Sequence, residues 1–173
     1  MAEININEIL DSYNEFRKKY KELPTYEELD KNFTITQYIL YNYNAPIKSV
    51  LLLAIQNAMI LNKINPMMSL LGDILYNNSP DIANIETKKL LENNKNEILK
   101  EHTKLIILYR KSVKVYYENE DDTRAKFIRE VYDHFMSKRT WLINLITKNI
   151  KHLELLDLDK KFNDSSDNIK YYG

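Results

Sequence analysis

A chain of 173 residues, 44% of them hydrophobic, can bury the core of one domain. Cysteine is absent, which excludes disulfides, thiolate chemistry and every zinc site with a Cys ligand. The 25 basic and 25 acidic residues balance, which argues against general nucleic-acid binding, and two glycines are too few for phosphate-cradling loops or the tight turns of a sheet protein. The expected fold is therefore all-α.

Residues 4–22 place Ile6, Ile9, Leu10, Tyr13, Phe16 and Tyr20 three and four apart, the stripe of an amphipathic helix. Leu23-Pro24 stops it, and Thr25-Tyr-Glu-Glu28 reads as a capping box opening a short helix with Leu29 and Phe33 inward. Residues 32–43 mix helical spacing at Ile35, Tyr38 and Ile39 with β-favouring composition; helix is preferred because no second strand exists to pair with it. Pro46, Asn65-Pro66 and Ser79-Pro80 then mark three helix starts. Only Lys48, Lys63 and Asp73 are charged between residues 33 and 80, so this span is expected to form a charge-poor central hairpin.

The run Asn93-Asn-Lys-Asn96 is expected to break the chain before a long helix over 96–118. Its inward face would carry Ile98, His102, Leu105, Ile106, Tyr109, Val113 and Tyr116. Asn119-Glu-Asp-Asp122 would open another helix, whose dipole its carboxylates complement. A turn near Ser137 would separate the stripe of Phe127, Ile128, Val131, Tyr132 and Phe135 from that of Trp141, Leu142, Leu145, Ile146, Ile150, Leu153 and Leu156. The pattern gives about seven or eight helices in an irregular bundle, one domain over residues 1–156, and a polar tail over 157–173. The acidic start Met1-Ala-Glu-Ile-Asn-Ile-Asn-Glu8 is unlike a signal peptide. The longest apolar run, 49–61, is shorter than the roughly 20 residues that cross a bilayer, so a cytoplasmic protein without membrane contact is expected.

No constellation carries obvious chemistry. His102, His134 and His152 are isolated; Glu130 and His134 lie four apart, a spacing that allows two ligands on one helix face, but neither His-Glu-x-x-His nor a repeated Glu-x-x-His is present. The acidic clusters at 27–30 and 118–122 are explained by helix starts, and no serine has a nucleophile motif around it. No catalytic residue, metal site or cofactor is therefore assigned. Met59, Met67 and Met68 read either as gap-fillers in a core or as an adaptable groove.

Charge, by contrast, is segregated: residues 100–151 hold 12 bases against 7 acids. Lys100, Lys104, Lys111 and Lys114 fall within about 80° of one another on a helix, with Ile107 among them. That face is either a solvated exterior or an electrostatic footprint for an acidic or phosphate-bearing partner. A second candidate contact is Tyr171-Tyr172 at the end of the polar tail, a segment able to order on binding. The reading is a non-enzymatic interaction protein, a subunit or accessory factor on a larger assembly. The alternative is a nucleoprotein-associated factor, on a replisome or a ribosome, that touches nucleic acid through the basic face.

Leu23-Pro-Thr-Tyr-Glu-Glu-Leu-Asp-Lys-Asn-Phe33-Thr-Ile35, the run from Leu51 to Leu71, and Phe127-Ile-Arg-Glu-Val131 resemble blocks of small uncharacterised all-helical proteins of A/T-rich archaeal genomes. This resemblance implies an all-helical fold and no particular activity. More remotely, an apolar helix running through Lys63-Ile64 into a Leu-rich helix and then a long basic-faced one is similar to the helical domain of GINS-type replication subunits. That likeness implies a scaffold role.

Overall fold

The computed structural model describes residues 5–44, 47–76 and 83–166, with 83–93, 149 and 152–166 described as backbone only. Among these residues there is no strand. The helices are α1 (Ile6–Lys19), α2 (Tyr26–Phe33), α3 (Ile35–Asn42), α4 (Leu51–Met59), α5 (Asn65–Tyr76), α6 (Ala83–Glu118) and α7 (Asp121–Ser166). A 3₁₀ turn (Lys48–Val50) leads into α4, and a π turn (Ile60–Ile64) joins α4 to α5. The all-α expectation holds, and the ambiguous stretch at 35–42 is helical.

Local chemistry sets the first three helices. Asn5 caps α1 by accepting from the Asn7 N–H at 3.0 Å. Thr25 and Glu28 form the reciprocal capping box of α2, with Glu28 N–H to Thr25 Oγ1 at 3.2 Å and Thr25 N–H to Glu28 Oε2 at 2.8 Å. Thr34 alone joins α2 to α3 in the left-handed region, φ 56°. Its N–H bonds to the Asp30 carbonyl at 2.8 Å, while the Asp30 carboxylate accepts from the Thr36 N–H at 2.6 Å. One aspartate thus helps end α2 and start α3, against the strain of a β-branched residue at positive φ.

The expected central hairpin is instead a single rod: α4, the π turn and α5 continue without a break. In an α-helix Pro66 would press its ring against the Asn62 carbonyl. The π turn widens the backbone just ahead of it, with the Asn65 N–H bonded to the Ile60 carbonyl five residues back. The helix is thereby bulged rather than stopped. Within the charge-poor span it is α4 that lies at the centre. Leu51, Leu52, Ala54, Ile55, Gln56, Ala58 and Met59 are all buried as α4 packs between α3 and α7, with α1 at one side.

Two further expected breaks are also absent. Asn93-Asn-Lys-Asn96 stays helical within α6, because Asn costs a helix only a few tenths of a kcal/mol more than neutral formers and packing on α5 and α7 overrides it. Ser137 returns its hydroxyl to the His134 carbonyl at 2.7 Å, so α7 passes straight through. Counting the α4–α5 rod once, the described chain forms six rods. Helical backbone continues to Ser166, well into the segment read as a polar tail.

The two longest helices form an antiparallel hairpin around Asn119 and Glu120. Asn119, at φ 55°, takes the left-handed position that ends α6, and Asn tolerates it by hydrogen bonding locally. Its Oδ1 accepts from Arg124 Nη2 at 2.5 Å, and Asp121 and Asp122 fill the first turn of α7. Tyr20 Oη donates to Asp122 Oδ1 at 2.5 Å, tying the end of α1 to this corner.

Candidate interaction surfaces

Polar pairs fix the register of the hairpin. Moving down α6 and up α7, Glu97 meets Lys138 at 3.8 Å, Glu101 meets His134 at 2.5 Å, and Lys104 and Lys111 both reach Glu130, at 3.0 and 2.8 Å. Glu101 and His134 are nearly enclosed, with side chains 4% and 11% exposed. Burial alone would raise the Glu130 carboxyl; hydrogen bonds from Lys111 and Lys104 outweigh it and hold the group below the usual carboxylate range.

These contacts locate every residue of the basic stripe. Lys104 and Lys111 lean over the α6–α7 seam onto Glu130, and Lys114 pairs with Glu118 at 3.2 Å along its own helix. Lys100 is exposed and forms no ion pair among the described residues, and Ile107 is 44% exposed. Much of the charge is thus neutralised within the fold. Tyr171 and Tyr172 lie outside the described residues. Glu130 and His134 have separate partners, and no three His, Asp or Glu side chains converge as metal ligands among the described residues.

The apolar stripe of α6 needs correction. The face that packs inward carries Ile98, Glu101, Leu105, Leu108, Ser112 and Val115. His102 is also buried, beneath Gly72 and edge-on to the Tyr76 ring, with centroids 5.7 Å apart. Tyr109, Val113 and Tyr116, expected inward, are 39%, 43% and 54% exposed, and neighbouring Tyr117 is 80% exposed. Together with Asn57 and Ile60 of the α4–α5 rod they line a cleft of about 240 Å³. At its floor Gln56 donates to the Ser112 carbonyl at 2.9 Å, while its own Oε1 has no hydrogen-bond partner.

A second concavity lies on another side, where the end of α2 and the π turn face α7. It measures about 300 Å³, and its floor is Phe33, Met67, Phe135, Leu142 and Ile146. The rings of Phe33 and Phe135 meet edge-to-face at 5.7 Å there. Lys31, Lys63 and Arg139 stand around it, and none pairs with a carboxylate among the described residues. Arg139 has a long contact of 3.5 Å to Asn32 Oδ1. The methionines split accordingly: Met59 is fully buried in the core, whereas Met67 lines this groove.

Two features were hidden from sequence reasoning. The Glu101–His134 pair joins residues 33 apart across the α6–α7 hairpin, and the groove draws on α2, the π turn, α5 and α7. One signal was available: between Trp141 and Ile146 only Asn144 is polar, more apolar side chains than one buried face of a helix needs. No described helix is long and apolar enough to cross a membrane. Comparison with known proteins finds no family model, curated protein or solved structure that matches this chain.

Proposed function

We propose that this chain is a non-enzymatic helical interaction protein, a subunit or accessory factor that docks on a larger assembly. The observation that carries this reading is the run of large side chains on the second half of α6: Tyr109, Val113, Tyr116 and Tyr117 stand in solvent beside a tightly filled core. Scattered exposed apolar residues need no explanation, but a contiguous tyrosine-rich strip flanking a cleft has the composition of a binding surface. Tyrosine contributes large, rigid contact area together with a hydroxyl that can be satisfied at a wet rim. The unpartnered Gln56 Oε1 behind the cleft adds a buried acceptor that the fold itself leaves open.

A nucleoprotein role through the α6 lysines has weaker support, since Glu130 already neutralises Lys104 and Lys111. Affinity capture from native lysate, with and without nuclease, separates the two. Wild-type bait is expected to retain a defined protein partner through nuclease digestion, and bait carrying Val113→Asn, Tyr116→Ser and Tyr117→Ser is expected to lose it. Loss of all captured material on digestion would overturn the proposal in favour of nucleic acid.

A further inference from the structure

We infer that the groove between α2, the π turn and α7 is a receptor for an acidic amphipathic helix of a partner protein. The inference shares the reading of the chain as an interaction protein but uses a surface separate from the α6 tyrosines. On α7 the groove is lined by Phe135, Arg139, Leu142 and Ile146, spaced four, three and four residues apart, with Met136 and Ile143 seven apart beside them. That is the alternation by which one helix seats another in knobs-into-holes packing. From Phe135 to Ile146 the wall runs about 16 Å at 1.5 Å per residue, the length of about three turns of a docked helix. The groove opens at its edge, where Met136 and Ile143 are 39% and 52% exposed, so it forms an open trough rather than an enclosed tunnel for a single acyl chain.

Charge identifies the occupant. Lys31 on α2, Lys63 in the π turn and Arg139 on α7 come from three elements yet border one apolar floor. They differ in this respect from the α6 lysines, two of which share an internal carboxylate. A helix with apolar residues on one face and Asp or Glu on its flanks would fill the floor and place its carboxylates among these cations. A basic helix would meet like charge at all three positions. A second copy of this chain is a poorer fit, because the groove-lining face of its own α7 brings Arg139 and no carboxylate.

The test uses the full chain and a labelled synthetic helical peptide with Leu at alternating four- and three-residue spacing and Glu on both flanks. Its twin carries Lys at every Glu position. By fluorescence anisotropy the Glu peptide is expected to bind about tenfold more tightly than the Lys twin, with a preference that shrinks as salt rises. Reversing Lys31→Glu, Lys63→Glu and Arg139→Glu together should invert the preference. Ile143→Glu, at a half-exposed position, should weaken the Glu peptide about fivefold with no loss of helical circular dichroism. The Tyr116→Ser, Tyr117→Ser variant should bind the peptide as wild type does, which separates this proposal from the preceding one. Equal affinity for the two peptides, or no binding of either, would overturn the inference. So would a dimer in sedimentation that Ile143→Glu dissolves, which would assign the groove to a second copy. Sedimentation with anionic phospholipid vesicles, lost in the triple reversal, would assign it to a membrane surface instead.

Discussion

His102 packs against Gly72 and Tyr76 of α5, whereas Tyr109, Val113 and Tyr116, further along the same stripe of α6, face solvent. The spacing and the apolar character are shared, so neither decides burial. What differs is the neighbour. α5 covers the earlier part of the stripe, and the inward face of the later part turns by roughly a quarter of the circumference to Leu108, Ser112 and Val115, where the Ser112 carbonyl accepts from Gln56 of α4. A helix stripe therefore states which residues favour burial, and the packing partners select which of them obtain it.

Four variants break or sharpen this contrast. The largest effect is expected for Leu105→Ala, which empties a site that is 1% exposed; loss of about 2–5 kcal/mol in urea unfolding is expected. Gly72→Leu comes next. A Cβ at position 72 already lies 3.4 Å from His102 Nε2, so a longer side chain must displace that ring, at a cost of about 1–3 kcal/mol. A loss below about 0.5 kcal/mol would show that α5 does not cover His102 as described.

Glu130→Gln tests the seam between the two long helices, with a destabilisation of about 1 kcal/mol at neutral pH after allowance for solvent screening. The folded-state pKa of Glu130 is depressed, so its contribution is fully present above the unfolded value, about 4.3, and is lost as pH falls through the folded value. The wild-type and variant stabilities should therefore converge as the pH is lowered through the folded-state value of Glu130. The smallest effect belongs to Tyr116→Ser with Tyr117→Ser, expected within about 0.5 kcal/mol of wild type because neither ring is enclosed. A loss of several kcal/mol there would mean that these tyrosines are structural after all.

Much of the fold was legible in the residues. The Thr25–Glu28 box, the acidic entry to α7 at 119–122 and the burial of α4 within the charge-poor span each follow from local chemistry or composition. The helix count was less legible, because Pro66 and the Asn-rich run at 93–96 are breakers only when nothing compensates. A π turn accommodates the first and lateral packing overrides the second. Helix angle groups the basic stripe, yet Lys104 and Lys111 could not be assigned to Glu130 without knowing that α7 folds back beside α6. The groove was invisible for the same reason: its three cations are far apart in the chain and share no spacing rule.

The tyrosine strip as a docking surface is the central claim, and hydroxyl-radical footprinting of the tyrosines, free and in the captured complex, tests it most directly. In the free chain Tyr117 should react fast and the enclosed Tyr13 hardly at all, in line with 80% and 0% exposure. In the complex the account predicts protection of Tyr109, Tyr116 and Tyr117, with Tyr41, 81% exposed on α3, still reactive. Unchanged reactivity of the α6 tyrosines in a complex that protects another face would contradict it.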